Sequence, residues 1–118
     1  MSKVITAFDN ADIILFATPV RFNGMSSQIK TVVDRFQLLW NSPDVVEHRR
    51  RFMGLLMTAG SDNPDPNPNL KVFRSFCLSF GGVWAGSVVL SGTDSGNADY
   101  DGCARMMADQ LIGSMNGA

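Results

Sequence analysis

Residues 11–30 read ADIILFATPVRFNGMSSQIK. Residues 13–17 form a short continuous apolar run, which suits a parallel strand covered by helices on both faces. Thr18-Pro19 ends the strand, since proline cannot donate a hydrogen bond to the ladder. Ser26 stands where a helix N-cap is expected. The stretch therefore predicts a strand, a loop and the start of a helix.

Outward from this stretch, two further strands are predicted. Residues 52–58 read as a second buried strand that Ala59-Gly60-Ser61 interrupts, and residues 87–91 read as a third. Between them, residues 62–69 contain three prolines, which predicts a loop without regular structure.

Four helices are predicted around these strands by apolar residues at steps of three and four. The first ends at Asp9-Asn10, and the third is stopped by Gly81-Gly82. The apolar positions of the four helices are Val4, Ile5, Phe8; Ile29, Val32, Val33, Phe36, Leu39, Trp40; Leu70, Phe73, Phe76, Cys77, Phe80; and Cys103, Met107, Leu111, Met115. The order αβαβαβα predicts a parallel sheet with right-handed connections and helices on both faces. Ligands of such sheets bind beyond the carboxyl ends of the strands.

Composition limits the function. The 118 residues are 45% hydrophobic and suit one domain, and 10 basic against 11 acidic residues give a net charge of −1. This charge attracts neither nucleic acid nor anionic lipid. No apolar run approaches the roughly 20 residues of a bilayer span, and the amino terminus lacks the pattern of a secretion signal. No membrane association is expected, and the cytoplasm is the expected location.

The cysteines and the histidine predict no metal site. Cys77 and Cys103 lie in unrelated segments without the spacing of a zinc or iron–sulfur site, so both are interpreted as reduced core thiols. His48 is interpreted as a solvated surface residue. Neither Ser91 nor Ser95 lies in a nucleophile-elbow pattern, so no catalytic side chain is assigned.

Two further segments have alternative interpretations. Arg49-Arg50-Arg51 is interpreted as a solvated turn in preference to a site for a nucleotide phosphate. The glycine-rich segment 92–97 is interpreted as an ordinary turn or a wall of a nicotinamide pocket. A phosphate site there is the less favoured alternative, because no lysine follows and Asp94 would repel an anion.

Residues 11–30, with Asp34-Arg35 on the following helix, resemble a segment of the NADPH-dependent FMN reductase and iron–sulfur flavoprotein family. That family has Ala-Asp, an apolar strand, Ser/Thr-Pro-Val-Tyr, a short Gly/Ser loop, then Gln-Leu-Lys and Asp-Arg. The match covers about a fifth of the chain. It implies that residues 1–118 form a single partial flavodoxin-like domain, an α/β three-layer sandwich with a parallel sheet.

The resemblance also implies a cofactor, FMN, with NAD(P)H as electron donor. The residues implied to contact the flavin are Thr18, Pro19, Val20, Arg21, Phe22, Asn23, Gly24, Thr58, Ala59, Gly60 and Ser61. The alternative is that Thr18-Pro19 is only a strand stop and Ser26 only a cap. Gly24 is expected to permit close approach of the backbone or to need a positive φ. Arg21 replaces the family's usual aromatic residue. It supplies a positive charge either to a phosphate or to the reduced flavin, or it lies in solvent.

The resemblance begins at the helix before the family's third strand. The first two strands and the phosphate-binding loop therefore have no counterpart in this sequence, and weaker FMN binding is expected. The cysteine motif of the iron–sulfur branch belongs to the same part, so no cluster is expected in this chain.

Without a neighbouring first strand, residues 13–17 are expected to form an exposed apolar sheet edge. A second copy of the chain, a separate partner or upstream residues would cover this edge, and homo-oligomerisation is the expectation. The expected function is an FMN-dependent oxidoreductase that passes electrons from NAD(P)H to an unknown acceptor. The alternatives are a flavin-holding electron carrier and a non-enzymatic subunit that has lost the cofactor.

Overall fold

The computed structural model describes residues 1–117 as alternating helices and strands around a three-stranded parallel sheet. The elements are α1 (Ser2–Asn10), β1 (Ile13–Pro19), α2 (Ser27–Gln37), β2 (Phe52–Thr58), α3 (Asn67–Ser79), β3 (Val83–Leu90) and α4 (Tyr100–Asn116). The strand order is β1-β2-β3. The α/β architecture expected from the sequence is confirmed.

The two faces of the sheet are covered differently. On one face, α1, α2 and α3 bury an aromatic cluster in which the rings of Phe8 and Phe36 lie 4.7 Å apart and those of Phe16 and Phe73 lie 4.9 Å apart. On the other face, α4 packs against β2 and β3, where Met107 and the smaller cluster around it are buried. Because α4 lies over β2 and β3, no helix of the described residues covers the part of this second face that β1 forms.

Strand β1 is an edge of the sheet and is half covered. Phe16 and Thr18 point into the aromatic face and are buried, whereas Ile13 and Leu15 on the α4 side are 43% and 47% exposed. The exposed apolar edge expected at residues 13–17 is therefore confirmed.

Strand β3 begins earlier than predicted, at Val83 rather than Ser87. Gly86, with a φ of +135°, interrupts the apolar pattern there, and a register shift lies opposite it at Met53/Gly54. A Cβ atom on Gly86 would collide with the Gln110 side chain of α4, and one on Gly54 would lie 2.6 Å from Met107 Cε. Gly54 and Gly86 thus allow α4 to approach the sheet closely, and Gly86 is the residue that hid the first half of β3 from the sequence pattern.

Helix α3 also begins earlier than predicted, inside the proline-rich segment. It starts at Asn67, and Pro68 occupies its first turn, where a missing amide hydrogen costs nothing because it has no partner in the helix. Its end agrees with the prediction: Gly81, with a φ of +76°, and Gly82 donate to the Leu78 and Cys77 carbonyls, which is a Schellman motif. Helix α2 ends at Gln37, three residues before the predicted end at Trp40.

The interpretation of the arginine run as a solvated turn is wrong for Arg49 and Arg51, and only Arg50 is exposed. Arg51 is fully buried; its Nη2 donates to the Asp9 carbonyl at 3.1 Å and to Asp9 Oδ1 at 3.0 Å. Arg49 Nη2 donates to the carbonyls of Asp9 and Ala11 at 3.0 and 2.8 Å. Two guanidinium groups therefore satisfy the carbonyls at the carboxyl end of α1, where cations are favoured. Burial and the nearby Arg49 lower the pKa of Arg51, and Asp9 opposes this effect.

The burial of the two cysteines and the exposure of the histidine agree with the interpretation from the sequence. Cys77 is fully buried, and burial raises the pKa of its thiol to about 11. Cys103 is half-buried against the cluster around Met107. Both cysteines are free thiols. His48 is exposed and lies edge-on to Phe80, with ring centroids 5.3 Å apart. Within residues 1–117, no helix has the length and apolar character required to cross a membrane.

Candidate functional site

The carboxyl ends of β1 and β2 bring the two predicted flavin-binding segments together. Pro19 pairs with Thr58, and the Val20 amide donates to the Thr58 carbonyl at 2.8 Å. Residues 18–24 and 58–61 are thus neighbours at one edge of the sheet, although more than thirty residues separate them in sequence. Parallel pairing causes this, because it places the same ends of both strands side by side.

Residues 21–24 form a tight turn directly after β1. The Arg21 and Gly24 amides donate to each other's carbonyls at 2.9 and 2.8 Å. The two central residues, Phe22 and Asn23, have φ of +47° and +65°, as in a type I′ turn. The Phe22 side chain is fully exposed.

Of the two roles expected of Gly24, the positive φ is wrong, whereas close approach of the backbone to a ligand stays a prediction. Its φ lies outside the positive region, and a Cβ atom there would meet only the Arg21 carbonyl, at 3.4 Å. The positive φ values belong to Phe22 and Asn23 instead, because these two residues are the central positions of the turn.

Thr18 stabilises the loop through hydrogen bonds between its side chain and the backbone at both ends of the loop. Its side chain is buried; Oγ1 accepts a hydrogen bond from the Ser26 amide at 3.0 Å and donates to the Pro19 carbonyl at 3.0 Å. Ser26 in turn accepts from the Ile29 amide at 3.4 Å, which confirms the predicted N-cap of α2. These bonds fix the positions at which the loop leaves β1 and enters α2.

Backbone amides without a protein acceptor collect at this edge. Among residues 1–117, the amides of Phe22, Asn23 and Met25 after β1, and of Gly60 and Ser61 after β2, make no hydrogen bond. Free amides beside the amino end of a helix such as α2 favour negative charge on a ligand.

The glycine-rich segment 92–97 after β3 offers no such amides. Gly92 and Thr93 donate to the carbonyls of Ser61 and Ala59 at 2.8 and 3.0 Å, and the amides of residues 94–97 also have acceptors within the chain. These bonds agree with the interpretation of residues 92–97 as an ordinary turn and do not favour the alternative of a phosphate site. The same contact places the Asp94 carboxylate against the open face of Gly60.

Asn69 contributes to the site, and sequence reasoning missed it. Its side chain is 1% exposed, and its Nδ2 donates to the Gly24 carbonyl at 3.0 Å. The residue lies in a polar, proline-rich segment that shows no apolar periodicity, so no local signal marked it as buried.

The comparison with protein families matches residues 1–99 to the family described as NADPH-dependent FMN reductase. The chain belongs to this family. A curated relative, the NAD(P)H dehydrogenase (quinone) of Syntrophus aciditrophicus (strain SB), is 25% identical over 112 residues. The match takes in 95% of this chain and 54% of the relative, so the chain spans about half the length of the curated relative it matches.

Solved structures show the same fold. The flavodoxin, WrbA-like protein from Agrobacterium tumefaciens superposes with a TM-score of 0.68 at 22% identity, covering 93% of this chain and 66% of that one. The Trp repressor binding protein from Bacillus subtilis gives a TM-score of 0.63 at 23% identity, covering 76% of this chain and 56% of the other. The flavodoxin-like fold expected from the sequence is confirmed.

The residues of this FMN reductase family member fit one part of FMN and not the other. The free amides after β1 and β2 suit the polar edge of an isoalloxazine ring, which gains negative charge on reduction. A phosphate group needs several further donors. The amides of residues 92–97, in the glycine-rich loop after β3, already donate to acceptors within the chain.

A groove lies elsewhere on the molecule, apart from the residues predicted to contact flavin. It has a volume of about 830 Å³ between α2 and α3, and Trp40, Phe76 and Phe80 are among the residues that line it. None of the residues predicted to contact flavin lines this groove.

Proposed function

We propose that the chain binds the isoalloxazine ring of FMN at the carboxyl ends of β1 and β2, and passes electrons from NAD(P)H through the flavin to an acceptor. The observation that carries this proposal is the set of unpartnered amides that adjoining strand ends bring together. Membership of the NADPH-dependent FMN reductase family supports the same cofactor and donor.

The proposed roles of the residues follow from their placement. The amides of Phe22 and Asn23 donate to the pyrimidine edge of the ring, and the exposed Phe22 side chain supplies an apolar contact. Arg21, exposed beside the turn, places a positive charge where the reduced ring carries a negative one. Residues 58–61 contact the opposite edge.

When bound, FMN supplies the redox chemistry, accepting a hydride from the nicotinamide. The protein's part is to orient the ring and to stabilise its reduced charge, and these tasks need no acid or base from a side chain. A quinone is the acceptor class we propose, because the curated relative is named NAD(P)H dehydrogenase (quinone).

The absorbance spectrum of the purified protein, titrated with riboflavin or FMN, tests the binding step. Appearance of a flavin band that NADH or NADPH bleaches without oxygen supports the oxidoreductase. A band that neither nucleotide bleaches makes the protein a flavin-holding electron carrier. Absence of any bound flavin at millimolar concentration would contradict the proposal.

Riboflavin and FMN should bind with affinities that differ by less than about tenfold, or roughly 1.4 kcal/mol. The reason is that the free amides after β1 and β2 are assigned to the ring, whereas the amides of residues 92–97 donate within the chain, so neither set is left for the phosphate. Parallel fluorescence titrations measure this ratio. A larger advantage for FMN would mean that a phosphate site exists, and the assignment of only the ring to this edge would then be wrong.

A further inference from the structure

The turn at residues 21–24 has a conformation that its own sequence does not favour. Type I′ turns prefer asparagine and glycine at their centre, because both central residues have positive φ. Here the first central residue is Phe22, a bulky side chain with a φ of +47°. Strained backbone of this kind persists only where surrounding structure holds it.

The tertiary hydrogen bond to this turn comes from Asn69, in the first turn of α3. Its Nδ2 lies 3.0 Å from the Gly24 carbonyl oxygen and 3.8 Å from Met57 Sδ. A carbonyl only accepts hydrogen bonds, so the amide nitrogen must face Gly24, and the orientation of the side chain is thereby fixed.

The other end of the Asn69 amide has no partner. Its side chain is 1% exposed, and Oδ1 accepts no hydrogen bond from any residue in the range 1–117. A buried oxygen without a donor destabilises a fold, and a leucine of the same branching would avoid that cost.

Asn69 does not serve α3 either. The side-chain bond at the start of that helix comes from Asp65, whose Oδ1 accepts from the Asn67 amide at 3.0 Å. The polar bond that Asn69 makes with the backbone is directed out of its own helix, to a loop 45 residues away.

We infer that Asn69 is a positioning residue that holds the 21–24 turn closed against α3. By this means it keeps the Phe22 ring and the free amides of Phe22 and Asn23 at the carboxyl edge of β1. Its effect on flavin binding rests on the proposed function, whereas its effect on the turn does not.

The turn is tested without flavin by limited trypsin digestion, with mass spectrometry to follow each cleavage. The Arg21–Phe22 bond lies in the turn, and the Arg51–Phe52 bond enters a buried strand, so the first reports local opening and the second reports global unfolding. Asn69→Leu removes the donor, and the exposed Asn67→Leu on the same helix turn is its matched control.

Asn69→Leu should speed cleavage at Arg21–Phe22 about fivefold, the change expected from losing one net hydrogen bond, while cleavage at Arg51–Phe52 stays unchanged or slows. Asn67→Leu should alter neither. Asn69→Ala, which introduces no larger side chain, should show the same preference for the first bond if Asn69→Leu does not fold. Unchanged cleavage at Arg21–Phe22, or equal acceleration of both bonds, would overturn the inference.

A riboflavin titration of the same variants separates this inference from the proposed function. Asn69→Leu should weaken riboflavin binding by about fivefold, again the loss of one hydrogen bond, and Asn67→Leu should bind as the wild type does. Selective opening of the turn in a protein that binds no flavin would leave the positioning role standing and contradict the proposed function. Selective opening with unchanged flavin affinity would overturn the part of the inference that concerns the ligand.

Discussion

Phe22 combines a left-handed backbone with an aromatic ring that is fully exposed. Burial of the ring contributes nothing to stability here, and its φ costs about 1–2 kcal/mol relative to a residue that tolerates this region. A residue that costs stability at the mouth of a candidate site is best explained by contact with a ligand.

Phe22→Asn should therefore raise the free energy of unfolding of the flavin-free protein by about 1 kcal/mol, because asparagine tolerates positive φ. The same change should weaken riboflavin binding, because the apolar contact is lost. Urea denaturation and fluorescence titration measure the two effects. Leu38→Asn is the control: Leu38 is 80% exposed but has an ordinary φ of −70°, so no gain is expected. A less stable Phe22→Asn protein would show that the ring is structural.

The buried thiol of Cys77 predicts a loss of stability in alkali. Its pKa rises from an ordinary value of 9.0 to about 11 through burial. Between these values the unfolded chain loses a proton that the folded chain keeps, so the free energy of unfolding falls as the pH rises. The total loss is on the order of 2 kcal/mol.

Denaturation with urea in the presence of a reductant, from below pH 9.0 to about pH 11, measures this loss. Cys77→Ala should be less stable at every pH but should lose less on going to high pH than the wild type. Cys103→Ala, which leaves the Cys77 thiol in place, should keep the wild-type dependence. Equal pH dependence in the wild type and Cys77→Ala would contradict this prediction.

At the scale of elements, helix α1 depends on arginines that lie beyond β1 and α2 in the chain. The guanidinium groups of Arg49 and Arg51 bind the Asp9 carbonyl, and the Arg51 group also lies over the Phe8 ring, 4.9 Å from its centroid. The helix has no basic residue in its own last turn. Its carboxyl end is therefore stabilised by tertiary contact.

Arg51→Ala should lower the free energy of unfolding by about 3 kcal/mol, because it leaves a cavity and removes buried charge-assisted bonds. Arg50→Ala is the matched control. Arg50 is exposed and lies 5.3 Å from the Phe52 ring, a contact worth about 0.5–1 kcal/mol. Chemical denaturation measures both variants, and similar losses in the two would show that burial of Arg51 has little energetic effect.

At the scale of the whole molecule, the sheet described by residues 1–117 ends at β1 with an unpaired backbone edge and an apolar face that no helix of this range covers. Ile13 and Leu15 lie on that face. Edge strands of this kind readily pair with another chain. We propose that a second copy of the protein covers this edge.

Sedimentation should then show self-association at micromolar concentration. The double change Ile13→Lys and Leu15→Lys should shift the protein towards monomer, because it places charges on the contact face. Leu78→Lys, at a position 70% exposed on α3, should leave the association unchanged. A wild-type protein that stays monomeric at these concentrations would contradict the proposal.

Features that depend on residues close together in the chain could be predicted from the sequence. An apolar run predicted the strand at residues 52–58 with the bounds that the structure shows. The serine before α2 predicted the cap of that helix, and the resemblance of residues 11–30 predicted the family. These signals are local: a periodic pattern, a cap three residues from its partner and a strand that ends at proline.

Only the tertiary structure decided which polar groups are buried and which amides are free. Arg51 and Asp9 are 42 residues apart, and Asn69 and Gly24 are 45 apart. The acceptors for the amides of residues 92–94 lie in the loop after β2. In the sequence these residues look like solvated loop positions, because a polar side chain shows no periodicity that reveals its burial. Their partners become neighbours only when parallel pairing brings the strand ends together.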